Sequence, residues 1–282
     1  MFFINTKEAR VPIPVYLKNG CTIQEWIINS KDIDYLKFKN NFFYILDKDN
    51  KQDISYILTN IDKFIESGSF TKQSNTRASI FLYKNKKYFG KAAWLSKSIW
   101  YKQIKYYFLP PRSYWAAAVA QKLTNASILT PQVFAAGEYR QFGRLMASYS
   151  LTEAESNLNG LNNVLASITQ EKLLFELFLQ ISESIEQLHS AGIGHEDLVP
   201  SNLYVSNGNI GFWDLDSCLL FKQETPIKYR IKEYSMFLRT AKTIISNNKN
   251  ICQNSELLKE LTKILTKPLE KISSSAYARL QI

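Results

Sequence analysis

The sequence predicts an α+β protein of two lobes with a cleft between them, and three observations carry that prediction. Strand-like aromatic segments dominate the chain up to about Leu151, helical apolar stripes dominate it beyond about Ser156, and a short connector near Leu151–Glu155 joins the halves. The 282 residues suffice for one large domain or two lobes with a dry core. With 45% hydrophobic residues, only ten Gly and eight Pro, and no repeat at a fixed period, the chain is neither disordered nor fibrous.

From Val11 to about Leu46 the reading is β-rich, and Phe42-Phe43-Tyr44-Ile45-Leu46 is ended by the polar Asp47-Lys48-Asp49-Asn50. Asp53 is the expected N-cap of a helix whose Ile54, Ile57, Leu58, Ile61, Phe64 and Ile65 share one face. Ala78–Tyr83 and Lys87–Ala92, separated by Lys84-Asn85-Lys86, read as a hairpin. An alanine-rich helix is expected over Tyr114–Leu123 after Pro110-Pro111. Thr130-Pro131 then leads into a strand at Val133–Ala136, with Leu145–Leu151 as its partner. Lys172–Leu188 carries Leu173, Leu174, Leu177, Phe178, Ile181, Ile185 and Leu188, a helical core stripe. From Tyr229 two or three further helices follow, the last interrupted by Pro268.

Charge and cysteines narrow the function. Thirty-five Lys and Arg against 25 Asp and Glu leave a net charge of +10, which attracts anionic partners. Cys21, Cys218 and Cys252 are far apart and lack C-x-x-C spacing, so they read as thiols of a reducing compartment. With only His189 and His195, a His-rich metal site is excluded. The N-terminus breaks its apolar run too early for a signal peptide, and no stretch reaches the roughly 18 apolar residues needed to span a bilayer. The expectation is a cytoplasmic protein in peripheral contact with a membrane. Lys97, Lys102, Lys105 and Arg112, interleaved with Trp94, Trp100, Tyr101, Tyr106, Tyr107 and Phe108, read as a contact surface for anionic lipid or phosphoglycan. No recognised nucleic-acid module accompanies them, so nucleic acid is not the expected partner.

The chemistry is concentrated after the long helix. His195-Glu196-Asp197-Leu198-Val199-Pro200-Ser201-Asn202 reads as a polar loop; a short strand, the turn Asn207-Gly208-Asn209, a second short strand and Asp214-Leu215-Asp216 follow. Asp197, Asn202 and Asp214 are thereby expected to converge, and carboxylate and amide oxygens suit Mg²⁺ bridging to phosphates. Asp216 is either a further ligand or a solvated turn residue.

These residues resemble the protein-kinase-like superfamily: H-R-D-L-x-x-x-N stands here as H-E-D-L-V-P-S-N, and D-F-G as Asp214-Leu215-Asp216. The resemblance implies ATP and Mg²⁺. It makes Asp197 the residue that orients the acceptor hydroxyl and takes its proton, and Asn202 and Asp214 the metal ligands. Lys91 stands where the phosphate-binding Lys belongs, and Thr152, Glu153 and Glu155 fall in the adenine-lining hinge.

Tyr88-Phe89-Gly90-Lys91, Thr130-Pro131, Ala136-Gly137-Glu138, Ser150–Glu153 and Gly192–His195 are similar to the bacterial lipopolysaccharide core kinases, the heptose and Kdo kinases. That implies a sugar hydroxyl of the lipopolysaccharide core as acceptor, at the cytosolic membrane face. Residues 1–52 are then a β-rich extension, 53–151 the N-lobe and 152–282 the helical C-lobe.

Two departures keep a nucleotide-binding pseudokinase open as an alternative, alongside a kinase of a protein or small-molecule acceptor: Ala116 stands where the family's Glu partner of the Lys belongs, and Ser67-Gly68-Ser69 is a thin glycine loop. Glu196 replaces an Arg that activation-loop phosphates would bind, which argues against regulation by loop phosphorylation and not against catalysis.

Overall fold

A computed structural model describes residues 34–73, 75–95, 111–154, 159–221, 223–248, 251 and 255–273. Most of the N-terminal β-rich stretch, the basic aromatic run at 96–110, Glu155, Cys21 and Cys252 lie outside the described residues. Over the described residues the chain divides into two compact units, 34–121 with 131–154 and 122–130 with 159–273.

The first unit is built on a seven-stranded antiparallel sheet. Its strands are β1 (Asp34–Phe38), β2 (Asn41–Ile45), β3 (Ser69–Gln73), β4 (Thr76–Tyr83), β5 (Lys86–Trp94), β6 (Val133–Gln141) and β7 (Arg144–Glu153). The order across the sheet is β1-β2-β6-β7-β5-β4-β3. The β-rich extension expected up to Gln52 thus contributes, over its described part, an edge hairpin to this sheet. The β4–β5 connection is a two-residue turn in which Lys84 and Asn85 are left-handed, at φ +47° and +63°. Both then have the twist that a tight hairpin requires.

Two helices cover one face, α1 (Lys51–Thr59) and α2 (Ile61–Ser67). Ile54, Ile57, Leu58, Ile61 and Ile65 pack there against Phe43, Ile45, Phe81, Tyr88, Phe134, Tyr149 and Leu151, a continuous dry core. Phe43 pairs with Gly137 across β2 and β6, and a side chain at Gly137 would land on the Phe43 ring. The helix starts earlier than its expected cap and breaks at Asn60. Asp53 sits in the first turn with its carboxylate 2.7 Å from Lys84 Nζ, while Asn50 holds the N-cap position, its side chain donating to Asp47. An ion pair across the hairpin turn has taken the side chain that local sequence assigned to the helix end. The other sheet face receives α3 (Arg112–Asn125), where Tyr114 and Ala117 meet Tyr44 and Ala136.

The second unit is mainly helical: α4 (Leu161–Ser167), α5 (Glu171–Ser190), α6 (Ile227–Ser246) and α7 (Ser255–Ile272). Short strands β8 (Asn159–Gly160), β9 (Ile193–Gly194), β10 (Leu203–Ser206), β11 (Asn209–Phe212) and β12 (Leu219–Leu220) form two small sheets, β11-β10-β8 and β12-β9. The apolar stripe of α5 buries Leu174, Leu177, Phe178, Ile181, Ile185 and Leu188 as the spacing predicts. Leu173 is the exception: it is exposed.

Pro268 does not end the last helix; α7 runs through it. Proline removes one helix donor and crowds the carbonyls of the preceding turn. Here α7 is held against α5, where buried Ser182 donates to the carbonyl of Leu265 (3.1 Å) in the turn before the proline. No helix among the described residues is long and apolar enough to cross a membrane.

Candidate active site

In the second unit α5 ends at Ser190, and Gly192 adopts φ +70° to turn the chain into β9. A side chain there would meet the carbonyls of Gln223 and Phe221. His195 follows, fully buried, with Nε2 3.0 Å from the carbonyl of Trp213. A carbonyl only accepts, so Nε2 carries the hydrogen. The ring packs the loop from within, and Ser217 Oγ donates to the His195 carbonyl from the far side (3.2 Å).

Asp197 is exposed. Asn202 Nδ2 donates both to the Asp197 carbonyl (2.9 Å) and to its Oδ2 (3.1 Å), which fixes the carboxylate rotamer. Asn202 is held in turn by its backbone, since its carbonyl accepts the N–H of Trp213 (3.1 Å), the residue before Asp214. The intervening β10–β11 hairpin closes through Asn207 and Gly208, both at positive φ, as the Asn-Gly dipeptide predicts. Asp214, also exposed, is left-handed at φ +55°, a conformation Asp tolerates better than most residues. Asp197 and Asn202 are thus joined by side-chain hydrogen bonds, and the backbone of Asn202 pairs with Trp213, the residue before Asp214, on a strand–turn–strand frame.

Glu196 is also left-handed, at φ +57°, and a long side chain gains nothing there to offset the cost of about 1–2 kcal/mol. What holds it is Glu233 of α6, wholly buried. One oxygen of Glu233 accepts the Glu196 N–H (3.2 Å) and the other lies 2.9 Å from His189 Nε2. Lys232 Nζ meets the Glu196 carboxylate at 3.2 Å. Where the kinase pattern has an Arg, this chain therefore has an acid paired with a lysine of α6. Sequence reasoning missed Glu233, and no local signal marks it: it lies 37 residues downstream, within an ordinary helical pattern.

The segment after Asp216 is equally tied down. β12 pairs with β9, and Arg230, 1% exposed, donates to the Thr225 carbonyl and to the carboxylates of Glu186 and Glu224. Lys122 Nζ reaches the carbonyls of Gly192 and Phe221, at 3.4 and 3.2 Å, and burial lowers its pKa. Cys218 is buried, and its thiol pKa is pushed well up by burial and then by Glu233, Asp216, Asp214 and Glu196.

The remaining expected residues belong to the first unit. Lys91 lies on β5, opposite Ala78 and Ser150. Ala116 is a half-buried position of α3, a helix without an Asp or Glu. Glu138, buried on the sheet face that bears Lys91, is engaged by Arg140 at 2.8 Å. Thr152 and Glu153 end β7, where the N–H groups of Glu153 and Ala154 are spent on the carbonyls of Gln132 and Lys87. Gly68 is a packing glycine at the start of β3: a side chain there would strike the Ile80 carbonyl.

An amide oxygen with carboxylates is a hard-oxygen donor set, and that chemistry fits Mg²⁺. Among the described residues Asn202 Oδ1 and Asp197 Oδ1 accept no hydrogen bond.

Residues 67–253 match the Lipopolysaccharide kinase (Kdo/WaaP) family. None of the curated proteins matches the chain. Among solved structures, "WaaP in complex with acyl carrier protein" is similar at a TM-score of 0.55 with 13% identity, covering 85% of this chain and 96% of that one. The BubR1 kinase domain is similar at a TM-score of 0.41 with 13% identity, covering 88% of this chain and 87% of that one.

Proposed function

The chain belongs to the lipopolysaccharide kinase (Kdo/WaaP) family and is a phosphotransferase, and on that premise we propose that it moves the γ-phosphoryl group of ATP onto a sugar hydroxyl of the lipopolysaccharide core. The observation that carries this reading is the locked Asp197–Asn202 pair beside Asp214. Asn202 holds one oxygen of Asp197, which leaves Oδ1 to take the proton of the acceptor hydroxyl. The new O–P bond forms as the bond to ADP breaks. Asn202 Oδ1 and Asp214 would hold Mg²⁺, which when bound neutralises phosphate charge. Lys91 meets the nucleotide phosphates, and Thr152 and Glu153 line the adenine pocket. Catalysis of this kind is positioning and charge neutralisation. The enzyme works in the cytoplasm, in peripheral contact with the anionic inner face of the membrane that carries its acceptor.

One observation favours a second reading, a kinase-shaped nucleotide-binding protein without transfer: α3 carries Ala116 where the kinase pattern has a Glu. Thermal unfolding with and without Mg²⁺-ATP, followed by a transfer assay on lipopolysaccharide core acceptors, separates the two. A ligand at about 100 times its Kd stabilises by about 2.7 kcal/mol, a rise of several degrees in Tm. The kinase reading expects that rise, its loss in Asp214→Ala, and transfer. A rise without transfer selects the second reading, and no rise at all refutes both.

A further inference from the structure

The β1–β2 and β6–β7 turns lie side by side at one end of the seven-stranded sheet. β2 follows β6 as far as the Asn41–Tyr139 pair, and the Arg140 N–H then reaches the Asn40 carbonyl at 3.1 Å. The β6–β7 turn is the dipeptide Phe142-Gly143, both residues left-handed at φ +50° and +79°. Asn or Gly suits the first of those positions. A bulky aromatic there is disfavoured by its backbone, and this ring is also 95% exposed. Lone apolar residues on a surface are ordinary, but this one stands where neither conformation nor solvation favours it.

Its support is rigid. Arg140 Nη1 donates to the Gly143 carbonyl (3.0 Å) while its Nε binds the buried carboxylate of Glu138 (2.8 Å). Cations flank the two turns. Lys37 and Lys39 are exposed, their ammonium groups over the rings of Phe42 and Phe38 at 5.4 and 5.3 Å, and Arg144 follows Gly143 directly. None of the three forms a salt bridge among the described residues.

We propose that these two turns dock the protein on an anionic bilayer. The Phe142 ring seats at the boundary between headgroups and acyl chains, and the exposed Lys37 and Lys39 face lipid phosphates. The setting rests on the membrane-borne acceptor proposed above. A convex tip with one protruding ring fits a fluid surface, which needs no complementary pocket, better than it fits a folded acidic protein.

The test is sedimentation of the full chain with vesicles of phosphatidylcholine alone and of phosphatidylcholine with phosphatidylglycerol, alongside transfer to acceptor dispersed in detergent. The expected result is binding to the anionic vesicles only. Phe142→Ser should lower that partition roughly tenfold, and the double variant Lys37→Glu/Lys39→Glu by at least as much. Transfer in detergent should be unchanged in every variant, since none of these residues belongs to the site. Anionic-vesicle binding that survives both variants, or wild-type protein that transfers in detergent yet binds no vesicle, overturns the docking proposal alone. Absence of transfer in detergent, with Phe142-dependent vesicle binding intact, overturns the functional reading and leaves the docking surface standing.

Discussion

Replacing Glu233 with alanine tests how the candidate catalytic loop is held. The carboxylate is fully buried and accepts from two donors, the Glu196 N–H at 3.2 Å and His189 Nε2 at 2.9 Å. Its removal strands both donors, at about 1–3 kcal/mol each. Relief of the desolvation of a buried carboxylate offsets part of that, which leaves a net loss of about 3 kcal/mol. Glu196 then has no reason to stay at φ +57°, and its relaxation swings the next residue, Asp197. A displacement of about 1 Å at a reacting group costs roughly a hundredfold in rate. Glu233→Gln should fall between. Its amide oxygen still accepts from Glu196, but its NH₂ faces His189, whose hydrogen must move to Nδ1, a buried atom with no partner among the described residues. Urea unfolding and turnover, measured on both variants, should give the order wild type, Gln, Ala in each. An alanine variant within about 1 kcal/mol of wild type in stability, with turnover within about twofold, would refute the argument.

Other perturbations have equally definite outcomes. Asp197→Ala and Asp214→Ala each remove an exposed side chain, so turnover should fall at least a hundredfold while the unfolding midpoint stays near wild type. Arg230→Met strips the buried guanidinium from the Thr225 carbonyl and two carboxylates and should cost about 3 kcal/mol in urea. Glu224→Gln, at the largely exposed end of the same cluster, should cost under about 1 kcal/mol. Gly137→Ala drives a methyl group into the Phe43 ring and should cost roughly 1–3 kcal/mol, read from the same unfolding curves. In a chain carrying Cys21→Ser and Cys252→Ser, Cys218 should resist alkylation at mildly alkaline pH until denaturant is added, because burial holds its thiol protonated. Rapid labelling of the native protein would contradict that.

The parts of the site that were legible in the sequence are those built within about twenty residues. Asp197 to Asp214 is one loop, one Asn-Gly turn and two short strands, so spacing and turn chemistry specify the hairpin between them. Glu233 was illegible because its meaning depends on how α6 packs under the loop, and a buried Glu in an amphipathic helix carries no local mark. Capping failed in the same way at Asp53, whose carboxylate answers to Lys84, thirty-one residues away, and not to its own helix end. Pro268 misled because the rule for proline concerns an isolated helix, whereas this one is packed along α5. Strand order is likewise a property of the whole sheet: apolar runs bounded by polar or proline breaks identified β2 and β6 without indicating that they are neighbours.

That adjacency sets a timetable for synthesis. β2 leaves the ribosome with one edge paired to β1 and the other, which presents Phe43 and Ile45, waiting for β6. Ile45 pairs with Ala135, about ninety residues later. At roughly 5–20 residues per second the wait is about 5–20 s, long compared with the microseconds in which a hairpin forms. The nascent chain therefore carries an open, aromatic strand edge through most of the synthesis of its first unit, an invitation to aggregation or to a chaperone. Transposing the segment that carries the β1–β2 hairpin to a position after β7 would shorten that exposure and should raise the yield of soluble protein.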